Sequence, residues 1–108
     1  MGDLYKGITP TFNLTLADET LDLGDATNVY VTFADRTGKT ILTKTTQDLV
    51  INENAVEVYL SQEETLVFPQ KVAIQVNWTY DENGTAKRDC SDIAITYFRN
   101  NLINEVIV

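Results

Sequence analysis

Polar and apolar residues alternate with a period of two along most of this chain, the spacing of half-buried β-strands. In Thr11–Leu16, Phe12, Leu14 and Leu16 share one face and Thr11, Asn13 and Thr15 the other. Pro10 cannot donate to a ladder and belongs at the strand start or on an edge. Asn28–Phe33 repeats the pattern, with Val29, Val31 and Phe33 inward. Asp35-Arg36-Thr37-Gly38 has turn chemistry, and Lys39–Thr45 reads as the return strand of a hairpin, solvated and at an edge. Asp48–Ile51 is a short apolar run, and Ala55–Leu60 points Val56, Val58 and Leu60 inward.

One helix start stands out. Ser61 can cap the amino end while Glu64, three residues on, reaches back in a capping box. The pattern predicts one or two turns over 61–67, stopped by Pro69, that cross between sheets. Leu66 or Phe68 then plugs an open end of the core. Lys71–Tyr80 is the longest alternating stretch, with Val72, Ile74, Val76 and Trp78 on one face, and reads as a central strand. Asp81-Glu82-Asn83-Gly84 ends in a hairpin signal. Arg88–Asp92 breaks the alternation, which predicts a bulge or kink before Ile93–Tyr97 resumes it. Leu102–Val108 is unusually apolar: it adds a last strand to this domain, or another chain buries it.

About seven strands at this spacing predict one all-β domain over residues 1–108, a β-sandwich or a barrel. With 108 residues, 44% of them hydrophobic, the chain has enough material for one core. Cys90 has no second cysteine to pair with and is expected to sit as a small buried hydrophobe.

Charge narrows the partners. Sixteen acidic against eight basic residues leave a formal net charge of -8, which repels phosphate backbones and anionic lipid surfaces, so neither nucleic acid nor membrane is an expected partner. No apolar run approaches the length of a bilayer span. Met1–Lys6 carries neither the apolar core of a signal peptide nor a myristoylation pattern, which leads us to expect synthesis and retention in a cytoplasm until assembly.

The chain has no histidine, so Ser-His-Asp and Cys-His arrangements are excluded, as is a His/Cys zinc site. No phosphate-binding glycine loop occurs. Asp18, Glu19, Asp22 and Asp25, and separately Asp81, Glu82 and Asn83, gather carboxylates without the spacing of a calcium loop. A paired-carboxylate glycosidase needs a cleft for which a sandwich this small has little room. The expectation is a non-enzyme without cofactor or metal. Asn-X-Thr triplets at Asn13, Asn77 and Asn83 read as products of a threonine-rich strand composition. Trp78 reads as a core anchor. Tyr30, Tyr59 and Tyr97 lie opposite the inward faces of their strands and would form an exposed stripe if those strands were neighbours. With Leu102, Ile103, Val106 and Ile107 they are the candidate interface residues.

The run Gly7–Leu16, followed by Leu21–Thr27 and Val29–Phe33, resembles the amino-terminal immunoglobulin-like domain of phage baseplate upper proteins. Gly24-Asp25 replaces that family's Thr-Gly. Val58–Thr65 is similar to its strand and helical turn, and Val72–Gly84 to its next hairpin. The resemblance implies an antiparallel immunoglobulin-like β-sandwich and a structural protein of a phage or prophage tail or baseplate, residing in the virion after synthesis in a bacterial host. It implies a homo-oligomer or assembly subunit that contacts other virion proteins or itself, with no catalytic residues. The alternative is a cell-surface or carbohydrate-binding β-sandwich module.

Overall fold

The structure, a computed structural model, describes residues 4–108. Met1–Asp3, on which part of the leader and acylation reading rests, lies outside the described residues. The chain runs β1 (Leu4–Tyr5), β2 (Thr11–Thr15), β3 (Asn28–Ala34), β4 (Thr40–Thr45), β5 (Leu49–Asn52), β6 (Ala55–Tyr59), α1 (Gln62–Leu66), β7 (Lys71–Glu82), β8 (Thr85–Cys90) and β9 (Ala94–Arg99). Two sheets form. The larger has the order β1-β9-β7-β3-β4, with β8 also on β7, and the smaller the order β2-β6-β5. These two orders match the G-F-C-C′ and B-E-D strands of an immunoglobulin-like sandwich. Among the described residues only β1 departs from antiparallel pairing, running parallel to β9 through Leu4↔Phe98 and Tyr5↔Arg99.

Nine strands reduce to seven if two-residue β1 is set aside and β8 and β9 are taken as one interrupted strand. Both pair with the same edge of β7, in succession. Between Asn77↔Cys90 and Ile74↔Ala94, β7 moves three residues and its partner four. That one extra residue is the expected bulge. Ser91 repairs the ladder there: its N–H donates to the Val76 carbonyl (2.8 Å) and its hydroxyl accepts the Val76 N–H (3.0 Å).

The inward faces are those the alternation predicts. Val29, Val31 and Phe33 of β3 stand in register with Trp78, Val76 and Ile74 of β7, and all six are buried. Val56, Val58 and Leu60 close the core from the smaller sheet. All four phenylalanines of the sequence meet in one closed ring: Phe12–Phe33 at 6.1 Å between centroids, Phe33–Phe68 at 5.4 Å, Phe68–Phe98 at 5.2 Å and Phe98–Phe12 at 6.3 Å. The tilted and edge contacts among them suit the ring quadrupoles.

The capping box at α1 is complete, with Ser61 Oγ accepting the Glu64 N–H and Glu64 Oε1 accepting the Ser61 N–H. Lys44, opposite Val31 on the inward face of edge strand β4, reaches Glu64 Oε2 at 2.7 Å. This half-buried pair closes the β4 side of the sandwich.

β7 is 12 residues long, about 40 Å when extended, whereas the strands of the smaller sheet have four or five. The β7–β8 hairpin therefore projects past its cover. At its tip Asn83 and Gly84 both take positive φ (53° and 84°), as a type I′ turn requires. Every residue of β8 is exposed. Cys90 is among them, which corrects the expectation that it is buried. Its register partner is Asn77, so it points to the outer face of the larger sheet, away from the core.

Candidate docking surfaces

The three tyrosines do not form a stripe. Tyr30 (half-buried) and Tyr97 (exposed) share the outer face of the larger sheet, but their β7 partners Asn77 and Lys71 are six residues, about 20 Å, apart. Tyr59 stands exposed on β6 of the other sheet. Alternation places each one outward, but says nothing about which sheet its strand joins.

The 102–108 segment forms no strand, so it does not extend either sheet here. Leu102, Ile103, Val106, Ile107 and Val108 are all exposed, Leu102 fully so. The side-chain amide of Gln62, in α1, donates to the Ile107 carbonyl (2.8 Å) and accepts the Ile107 N–H (2.9 Å). This is the pair of bonds a neighbouring strand would supply. Upstream, Asn101 Nδ2 donates to the Lys6 carbonyl (3.0 Å).

A groove of about 570 Å³ opens along the side where β2 is one sheet edge and β8–β9 the other. Its floor is Ile74, Val76 and Trp78 of β7, and Leu14 of β2 and Leu16 just beyond it line one wall. Ala94 faces inward beside Ile74 yet is exposed, because nothing in the smaller sheet reaches over it. Pairing leaves the β2 backbone open on this side. The Pro10 carbonyl accepts the Leu60 N–H and the Leu16 N–H donates to Asn54, so the main-chain groups of even-numbered residues turn toward β6. By the strand period, those of Asn13 and Thr15 turn outward to the groove.

A smaller concavity of about 390 Å³ lies on the outer face of the larger sheet, among Tyr30, Thr32, Thr43, Asn77 and Arg88. Arg88 Nη2 and Nε donate to Asn77 Oδ1 at 3.0 and 3.3 Å, which lays the guanidinium across the sheet.

The acidic loops are occupied with their own backbone. Asp18 Oδ1 accepts from the Thr20 N–H and hydroxyl, Asp22 from the Gly24 N–H, and Asp81 from the Gly84 N–H. The Thr20 bonds lower the Asp18 pKa. Among the described residues no three of His, Cys, Asp and Glu gather closely enough to hold a metal ion, and no helix is long and apolar enough to cross a membrane. No protein-family model, curated protein or solved structure matches this chain.

Proposed function

We propose that this protein is a non-enzymatic structural component of a phage or prophage tail or baseplate, residing in the virion and working through contacts with other tail proteins or with itself. The observation that carries the reading is the 102–108 segment. Five of its seven residues are apolar and exposed, and a surface of that kind is ordinarily covered by protein. The likeness of Gly7–Leu16 and Val58–Thr65 to a baseplate domain supplies the setting. The test is light scattering after size exclusion, on the chain alone and mixed with the products of the neighbouring genes. A complex with tail or baseplate proteins, or a defined oligomer, supports the proposal. A strict monomer at high concentration in every mixture overturns it.

The concavity around Tyr30 favours a second reading, a carbohydrate-binding module. An aromatic ring, a fixed guanidinium and two threonine hydroxyls are groups that can stack on and hydrogen-bond to a sugar. Glycan-array binding lost in Tyr30→Ala would support this reading, and an array without hits removes it.

A further inference from the structure

We propose that the 102–108 segment of one copy lies as an added strand along β2, in the groove of a second copy. The proposal deepens the assembly reading above and rests on it. The groove has the three features strand addition uses: an apolar floor in Ile74, Val76 and Trp78, outward main-chain groups at Asn13 and Thr15, and room at Ala94. Along the ladder of β2 it runs from Asn13 to Leu16, about 10 Å, the span of three or four extended residues. The segment has the matching pattern. Leu102, Val106 and Val108 fall on one face of an extended strand, with Asn104 between them.

The donor comes from a second copy because the connector of residues 6–10 bars the way in cis. That connector leaves β1, beside β9, and crosses to the start of β2, so it bridges the two sheets at the near end of the groove. Thr65 fixes it from behind, accepting the Gly7 N–H (2.9 Å) and donating to the Ile8 carbonyl (2.7 Å). The segment leaves β9 on the far side of this bridge and is tied there by Asn101 to Lys6 and by Gln62 to Ile107. A second copy approaches the groove from outside and meets no such barrier. Each copy carries one groove and one segment, so exchange closes as a reciprocal dimer or a ring.

The test uses the full chain and two variants at exposed positions, so neither removes core packing. Val106→Asp puts a charge on the donor, and Ala94→Arg fills the groove. Light scattering should give an oligomer for the parent and a monomer for each variant. A one-to-one mixture of the variants should recover a particle of twice the monomer mass, because it pairs an intact segment with an intact groove. Salt should tighten the parent oligomer, since each copy carries a net charge of -8 and the contact is apolar. A monomeric parent, variants that stay oligomeric, or a mixture that recovers nothing overturns the exchange. A monomeric parent that still binds a neighbouring tail protein leaves the assembly reading standing, so the two failures can be told apart.

Discussion

Thr65 and Gly7 are joined across 58 residues of sequence by a 2.9 Å hydrogen bond from the Gly7 N–H to the Thr65 hydroxyl, which also donates to the next carbonyl, Ile8, at 2.7 Å. Thr65 is completely buried, and it is the one polar side chain so classed among the described residues. Thr65→Val keeps the shape and leaves a peptide N–H and a carbonyl without their partner. We expect a loss of about 1–3 kcal/mol, seen as a lower urea midpoint at unchanged slope. Gly7→Ala should also destabilise the fold. Gly7 has φ +90°, and an added Cβ would meet Leu66 Cδ2 at 3.1 Å.

Glu64 gives the fold an acid-sensitive fastening. Burial pushes its pKa up, but the hydrogen bond from Lys44, the Ser61 N–H and the Lys44 charge outweigh burial and hold the carboxyl below its ordinary 4.5. A value lower in the folded than in the unfolded chain means stability that is complete above about pH 4.5 and is lost as pH falls through the folded value. Glu64→Gln should therefore cost up to about 1 kcal/mol near neutral pH and show a flatter decline on acidification. The stability difference between parent and variant, measured by urea titration at several pH values, should shrink as the carboxyl protonates. Asp18 and Asp35, lowered by hydrogen bonds from Thr20 and Thr37, titrate in both proteins and cancel from this difference.

The phenylalanine ring predicts an uneven core. Phe68 touches Phe33 in a stacked contact and Phe98 edge-on, and it is about 1% exposed. It is also the first core residue after α1, so it fixes where the chain enters β7. Phe68→Ala should cost about 3–5 kcal/mol, the range for emptying a buried aromatic site. That is a large share of the roughly 5–15 kcal/mol that holds a domain of this size folded. Phe68→Leu should recover much of the loss but not the ring contacts, which a thermal melt of the three proteins would rank.

Local signals read from the sequence hold where one strand or one turn decides the outcome. The inward faces of β3, β6 and β7, the capping box of Ser61 and Glu64, the Asn83-Gly84 turn and the break near Arg88–Asp92 each depend on residues a few positions apart. What sequence could not show is set by pairing at long range. Tyr59 is outward as expected but belongs to the other sheet. β1 is two residues long and exists because Leu4 and Tyr5 find Phe98 and Arg99 at the opposite end of the chain. Cys90 lies in a strand-like stretch, but that strand outruns the smaller sheet, so nothing buries it. Lys44 sits on an inward face, which alternation alone gives to an apolar residue, because Glu64 stands within reach across the sandwich. The groove belongs to this group: its floor and its wall come from strands that are distant in sequence.

Ser91 connects the legible bulge to that groove. With its N–H and hydroxyl on Val76, and the Gln75 side chain donating to its carbonyl at 2.8 Å, it fixes the point where the register advances by one residue. The bulge decides which side chains of β9 face in. With it, Thr96 and Phe98 point to the core and Ile95 and Tyr97 outward. Without it, a continuous β8–β9 strand would turn Phe98 out of the phenylalanine ring, because a slip of one residue exchanges the faces. The native register should therefore survive in Ser91→Ala, since burying Phe98 is worth more than one hydrogen bond. Removing the hydroxyl leaves the Val76 N–H unpaired beside the groove floor, which should cost about 1–2 kcal/mol. Amide hydrogen exchange should quicken at Val76 and across β8, while β3 and β6 keep their protection. Equal acceleration in all four strands would show that Ser91 supports the whole domain and not the bulge.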